Sequence, residues 1–232
     1  MKIRSSILAA TMMILPWSAQ ALEPWDASRA TRWPGVEVIK PEDAQIGKQI
    51  GNLPFHDLWG RAVSLHDLAG ERGTVVVVRD PKCPVSRRYG PRISQLGQGF
   101  VEKGFSFVFI YLNESLKLEA LEDDARGLRL PQATMVGKGS FVLAAALGVR
   151  STGDVFVLDD EYRLIYRGAI DDQYGFGYTQ EAPTHHYLRN ALEAELREWP
   201  VPVPATLAPG CQIDADPAKD ELLPIPPGAA LS

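Results

Sequence analysis

One cysteine, Cys83, lies where the sequence predicts a reactive thiol. It follows an apolar run at residues 74–78 that is typical of a buried strand, and Pro84 comes next, at what would be the first position of a helix. A sulfur at this junction faces the unpaired backbone N–H groups of the helix N-terminus. Lys82 and Arg87 add positive charge nearby. Such surroundings lower the pKa of a cysteine, and the thiolate is the form that attacks disulfides or binds metal.

The N-terminus has the pattern of a secretory signal. Lys2 and Arg4 precede a mostly apolar stretch at residues 7–17, and an A-x-A-type cleavage site ends at Ala21. We therefore expect removal of residues 1–21 and a soluble periplasmic or secreted protein, with an uncleaved anchor as the alternative. Export would place Cys83 and the second cysteine of the chain, Cys211, in an oxidising compartment.

Length and charge narrow the function classes. The chain has 232 residues, which is enough for one domain with extensions and for a core that needs no disulfide. Its formal net charge is −5 at pH 7, so nothing indicates a polyanion-binding surface. We therefore expect no nucleic acid partner.

The elements around Cys83 predict an α/β domain over residues 51–199, between a leader at 22–50 and an extended proline-rich tail at 200–232. The expected elements are two short strands within 53–65, a strand at 74–78, a helix at 86–102 kinked by Pro91, a strand at 105–112, a helix ending at 126, a helix at 140–147, strands at 155–158 and 164–168, and a last helix that opens at Pro183 and turns Trp199 to the core. This order indicates one mixed sheet with helices on both faces.

Four segments resemble the redoxin branch of the thioredoxin superfamily, the group with alkyl hydroperoxide reductase-like and thiol-specific antioxidant proteins. They are residues 55–68, the turn from the strand to Cys83, residues 156–159 and residues 164–168. The resemblance implies a thioredoxin-like three-layer α/β/α sandwich with a central mixed β-sheet. It also implies an oxidoreductase that needs no cofactor and acts on protein thiols or disulfides or on small oxidised thiols. Thr152 would line its docking groove.

The sequence departs from that family at the second sulfur. Thioredoxins resolve mixed disulfides with a CxxC motif, and Ser86 occupies its second position. A serine can hydrogen-bond to the thiolate but cannot release a mixed disulfide, so the resolving thiol must come from elsewhere. Cys211 is the candidate, because an extended tail can reach Cys83. The two cysteines could form a redox-active pair or an inert staple, or stay unpaired.

Peroxidase activity is the less favoured reaction. Peroxiredoxins carry a threonine or serine three residues before the reactive cysteine and a proline further upstream. Asp80 and Val76 occupy these two places.

Two alternatives come from other function classes. In the first, His185 or His186 joins Cys83 in a copper site, similar to that of the Sco-type copper carriers. Adjacent histidines point in different directions, however, so at least one of them is expected to be solvated. In the second, the tail and the loop at 171–178 form the contact surface of a non-catalytic interaction domain.

The preferred hypothesis is an exported thiol–disulfide oxidoreductase. Cys83 attacks, Cys211 resolves, and Lys82, Arg87 and the helix N-terminus stabilise the thiolate. Ser86 hydrogen-bonds to the sulfur. The expected reductant is a membrane-tethered protein.

Overall fold

A five-stranded mixed sheet lies at the centre of the protein, for which a computed structural model describes residues 36–131, 133–137 and 139–222. The strands are β1 (Pro54–His56), β2 (Ala62–Ser64), β3 (Gly73–Arg79), β4 (Phe105–Tyr111), β5 (Thr134–Val136), β6 (Val155–Leu158), β7 (Leu164–Gly168), β8 (Tyr174–Gly175) and β9 (Tyr178–Thr179). The helices are α1 (Pro84–Val101), α2 (Leu118–Leu128), α3 (Ser140–Leu147) and α4 (Tyr187–Leu196), with short 3₁₀ turns at His66–Leu68 and Pro217–Leu222.

The central sheet has the strand order β5-β4-β3-β6-β7. Strands β3, β4 and β5 are parallel, whereas β6 runs antiparallel to both β3 and β7. All seven residues of β3 are buried, as expected for a central strand covered on both faces. Two short antiparallel hairpins, β1-β2 and β8-β9, lie outside this sheet.

Helices cover both faces of the sheet, so the predicted three-layer α/β arrangement is confirmed. Val75 and Val77 of β3 belong to a core cluster with residues of α1, α2 and α4. Val76 and Val78 belong to the opposite cluster, which contains residues of α3 and of the β1-β2 hairpin. This alternation follows from the two-residue period of a strand.

Several element boundaries differ from the expectation. Helix α1 continues through Pro91, and α4 begins at Tyr187 rather than at Pro183. Trp199 is 50% exposed, so its predicted place in the core was wrong. The hairpin β8-β9 and the three-residue strand β5 were not predicted, because both are too short to show a period in the sequence.

The chain segments on either side of the central elements join the same folded unit. Val36 and Ile50 are buried in the core, and the Ile39 N–H donates to the carbonyl of Ala205 (3.0 Å). Further along the tail, the Asp220 carboxylate accepts hydrogen bonds from the first turn of α3. Residues 201–220 are therefore held against the sheet at several points.

The predicted signal segment at 1–21 lies outside the described residues. Within the part of the chain that the structure describes, no helix is long and apolar enough to cross a membrane.

Candidate active site

The turn that carries Cys83 is organised by Asp80. The Cys83 N–H donates to the Asp80 carbonyl (3.0 Å), and the Lys82 N–H donates to the Asp80 carboxylate (2.8 Å). Asn113, just after β4, donates its side-chain amide to the same carboxylate (3.1 Å). Asp80 thus fixes the turn from both sides, as Asp commonly does by bonding the backbone two residues on. Cys83 is the N-cap residue of α1, with Pro84 at its first position.

The Cys83 sulfur lies among hydrogen-bond donors. Burial disfavours its thiolate, since Cys83 is 2% exposed. The backbone N–H of Ser86, the hydroxyl of Thr152, and the thiol and backbone N–H of Cys211 donate to the sulfur, and together they hold the pKa of Cys83 below its ordinary value. The thiolate form of this buried cysteine is therefore stabilised by hydrogen bonds.

The second sulfur comes from the tail, which pairs with the loop at residues 150–153. The Thr152 N–H donates to the Cys211 carbonyl (3.0 Å), and the Cys211 N–H donates to the Thr152 hydroxyl oxygen (2.9 Å). The Ile213 N–H donates to the Arg150 carbonyl (2.9 Å). These bonds form a short antiparallel pairing that sets Cys211 beside Cys83.

Cys211 differs from Cys83 in exposure and in protonation. Both are free cysteines, so the structure shows the dithiol form, but Cys211 is exposed and Cys83 is buried. The pKa of Cys211 is raised, first because its S–H donates to Cys83, then by partial burial and by the negative charges of Cys83 and Asp80. Of the two thiols, Cys83 is therefore the one that ionises first.

Two glycines permit the close approach of the tail. A Cβ on Gly153 would lie 1.8 Å from the Pro209 carbonyl oxygen. Gly210 has a φ of +151°, which L side chains rarely adopt, and a Cβ there would lie 2.8 Å from the Thr152 hydroxyl oxygen. Backbone therefore packs directly on backbone beside the two sulfurs.

A buried ion pair supports the first turn of α1. Arg79, at the end of β3, forms a bidentate pair with Asp124 of α2 (Nε–Oδ2 3.1 Å, Nη2–Oδ1 2.5 Å). The Tyr111 hydroxyl donates to the same carboxylate (3.0 Å). Arg79 also donates to the Ser86 carbonyl. Strand, helix and the turn next to Cys83 are thus held in one buried polar network.

No protein-family model and no curated protein matches the chain. Among solved structures, it is similar to an uncharacterized conserved protein from Geobacillus kaustophilus (26% identity, TM-score 0.64, covering 78% of this chain and 96% of that one). A hypothetical protein from Sinorhizobium meliloti matches with 21% identity and a TM-score of 0.65, covering 78% of this chain and 97% of that one. The peroxidoxin BcpB from Mycobacterium tuberculosis matches with 18% identity and a TM-score of 0.48, covering 66% and 97%.

The sheet has four strands in one direction, the antiparallel strand β6 between β3 and β7, and a cysteine at the β3–α1 junction, in agreement with the resemblance found in the sequence. The fold is thioredoxin-like. In this thioredoxin-like fold, Ser86 occupies the helical position of the usual second cysteine, and the second cysteine lies in the tail instead.

The predicted site residues divide into two groups in this thioredoxin-like fold. Cys83, Cys211, Ser86 and Thr152 lie together, but Ser86 donates to the sulfur through its backbone N–H, and its hydroxyl accepts from the Asp80 N–H (3.1 Å). Lys82 and Arg87 have other contacts: the Lys82 ammonium donates to the Ser115 hydroxyl (3.1 Å). Arg87 lines a cleft of about 590 Å³ between α1 and α2. The largest contributions that lower the pKa of Cys83 come from hydrogen bonds.

The histidines proposed as metal ligands have other contacts. His185 Nδ1 lies 2.6 Å from the Asp172 carboxylate, and His186 is the N-cap residue of α4. Burial raises the pKa of Asp172, but hydrogen bonds from Thr184 and His185 outweigh it and lower that pKa to about 2. Among the described residues, no group of three or more His, Cys, Asp or Glu side chains is arranged to hold a metal ion.

Sequence reasoning missed Asp80 and Gly210 as parts of the site. Signals for them exist. Asp80 precedes a proline, as in many turns, and Gly210 follows one in the tail. Neither signal indicates which distant segment the turn would contact.

Proposed function

We propose that this thioredoxin-like protein is a thiol–disulfide oxidoreductase whose redox pair is Cys83 and Cys211. The observation that carries the proposal is the backbone pairing of Cys211 with Thr152, which sets the Cys211 thiol beside Cys83. Both free cysteines are held in place by backbone structure. A helix N-cap holds one, and an antiparallel backbone pairing holds the other.

The chemistry is a two-electron exchange between this dithiol and a substrate disulfide or a pair of substrate thiols. When the protein is oxidised, Cys83 and Cys211 lose two protons and two electrons and form one S–S bond, and a substrate disulfide becomes two thiols. In the reverse direction the protein disulfide oxidises two thiols. Because the hydrogen bonds that lower the pKa of Cys83 also stabilise the reduced form, the disulfide should be an oxidant of thiols.

The substrates that suit this pair are protein thiols or disulfides and small oxidised thiols. We also propose that the protein is exported and cleaved near Ala21, on the pattern of its first residues, and that a membrane-tethered thiol protein exchanges electrons with it. N-terminal sequencing of the protein recovered from the exporting cell tests the cleavage. An N-terminus at Met1 would contradict it.

A redox titration tests the proposed function. The purified protein is equilibrated in glutathione or dithiothreitol buffers, quenched with acid and alkylated, and its free thiols are counted by intact mass. We expect both thiols to disappear in one two-electron step, at a potential more positive than about −270 mV. The variant Cys211→Ser keeps Cys83 and should show no such step. A disulfide more reducing than this limit, or none at any poise, would reject the proposal.

A further inference from the structure

The two sulfurs of the pair differ sharply in their access to solvent. Cys83 is 2% exposed, whereas Cys211 is exposed. In the resemblance that the sequence suggested, Cys83 is the attacking thiol, and an attacking thiol needs room for a partner sulfur. In the structure, Cys211 is the cysteine with that room.

The tail lies against the Cys83 site, where it would cover the sulfur. Residues 208–213 lie across the loop at 150–153, and Ala208 is 3% exposed within the core. On one side of Cys211, the Ser151 hydroxyl donates to the Ala208 carbonyl (3.3 Å), and on the other side Ile213 is bonded to Arg150. Access to Cys83 would require both anchors to move.

The tail also occupies backbone hydrogen-bonding groups beside the two cysteines. The Thr152 N–H and the Arg150 carbonyl are engaged by Cys211 and Ile213. A substrate chain therefore cannot bond to this N–H and this carbonyl unless the tail moves. Cys211 itself is exposed at this pairing.

We propose that Cys211, and not Cys83, is the sulfur through which the pair exchanges with its substrate thiol. The proposal rests on the proposed redox function of the pair. A substrate thiolate attacks Cys211 of the Cys83–Cys211 disulfide, so a bond forms between the substrate sulfur and Cys211. The Cys83–Cys211 bond breaks, and its electron pair leaves on Cys83. A second substrate thiolate then attacks the substrate sulfur of the mixed disulfide, and Cys211 leaves and takes a proton from water.

The surroundings of Cys83 suit a leaving group. The Ser86 N–H and the Thr152 hydroxyl already point at its sulfur and would receive the new negative charge. A thiol with a lowered pKa also leaves faster than one with a raised pKa, and Cys211 has the raised one. Exposure and leaving ability therefore favour the same direction of attack.

The first test compares the two sulfurs one at a time. Reduced Cys83→Ser and Cys211→Ser proteins are mixed with the neutral disulfide 4,4′-dithiodipyridine, and rates are taken at the alkaline plateau, where both thiols are ionised. The fraction of thiolate then no longer separates them. We expect Cys211, in Cys83→Ser, to react at least about tenfold faster than Cys83, in Cys211→Ser. Equal rates, or a faster Cys83, would overturn the proposal.

A glycine substitution tests whether the tail is the cover. Gly153→Ala places a methyl group against the Pro209 carbonyl, so the tail must shift. In the Cys211→Ser background it should raise the rate of Cys83 by about tenfold. The matched control is Gly51→Ala, where a Cβ meets nothing within 4 Å, and it should leave the rate unchanged. An unchanged rate in a folded Gly153→Ala protein would contradict a covering tail.

The last test locates the mixed disulfide in the wild-type chain. The oxidised protein is treated with reduced glutathione, quenched in acid and mapped by peptide mass. Glutathione on Cys211 supports the proposal, and glutathione on Cys83 overturns it while leaving the redox function standing. If the oxidised protein contains no Cys83–Cys211 disulfide before glutathione is added, the redox function fails, and this proposal fails with it.

Discussion

Replacing Thr152 by valine should weaken the thiolate of Cys83 without creating a cavity. The Thr152 hydroxyl donates to the Cys83 sulfur and accepts the Cys211 N–H (2.9 Å), and its side chain is buried at 1% exposure. Valine has a similar shape but neither donates nor accepts. The substitution therefore removes one hydrogen bond to a charged group and one that holds the tail.

The size of the effect follows from the charged hydrogen bond. Hydrogen bonds to ionised groups contribute about 1.5–3 kcal/mol, and about 1.4 kcal/mol is a tenfold change in an equilibrium. At a pH below the pKa of Cys83, the ratio of thiolate to thiol should fall by roughly ten- to a hundredfold. The pKa of Cys83 should rise accordingly.

The assay is an ultraviolet titration of the thiolate in the Cys211→Ser background, where Cys83 alone reports. The matched control is Thr74→Val, which also removes a buried threonine hydroxyl from the protein, one that accepts from Ser106 (3.1 Å). The control should lower stability and leave the titration of Cys83 unchanged. An unaltered midpoint in Thr152→Val, or an equal shift in Thr74→Val, would refute the reasoning.

Three further predictions concern stability. Asp124→Ala leaves the buried Arg79 without its partner and should lower the free energy of urea unfolding by about 3–5 kcal/mol. The control Glu122→Ala removes a surface ion pair on the same helix and should lower it by at most about 1 kcal/mol. A similar loss in both variants would argue against the buried network. The pKa of Asp172 is lowered to about 2 in the folded state, whereas an unfolded Asp has a pKa near 3.9. Its carboxylate therefore adds about 2 kcal/mol to the free energy of unfolding at a pH above about 3.9, and this contribution is lost as the pH falls toward 2. In unfolding measured from pH 6 to pH 2, Asp172→Asn should lack this part of the acid destabilisation, and an unchanged pH profile would reject the assignment. Asp220→Ala removes the carboxylate that accepts from the first turn of α3 and should lower the free energy of unfolding by about 1 kcal/mol, and no loss would mean that the cap contributes nothing.

The parts of the fold with a strong local pattern could be predicted from the sequence. The valine run of β3 and the Cys83–Pro84 junction predicted a buried strand and a helix N-cap, and both are present. Helix α3 was predicted with its observed ends, because Gly148 adopts the left-handed conformation that closes it. These features depend on neighbouring residues only.

The hydrogen bonds of the site could not be predicted in the same way. Cys211 reaches Cys83 through backbone bonds between residues 150–153 and the tail, and backbone bonds leave no periodic pattern of side chains. The sequence indicated only that the tail is long enough for Cys211 to reach Cys83. It also suggested Lys82 and Arg87 as stabilising charges, because charge is visible in a sequence and the direction of a hydroxyl or N–H is not.

Because Cys211 lies in the tail, far from Cys83 in the sequence, the redox state of the two cysteines would affect the stability of the fold. A disulfide between adjacent turns closes a small ring, whereas one between Cys83 and Cys211 would close a loop of more than half of the chain. In the chain-entropy account, cross-links of roughly 100 residues restrict the unfolded ensemble by about 4–5 kcal/mol. Folding and disulfide formation are thermodynamically linked. A change that detaches the tail therefore also lowers the effective concentration of the Cys211 thiol at Cys83. Such a cross-link would favour the oxidised state of the folded protein, whereas the hydrogen bonds to the Cys83 sulfur favour the reduced state. The balance of these two effects sets both the redox potential of the pair and the difference in heat resistance between its two forms.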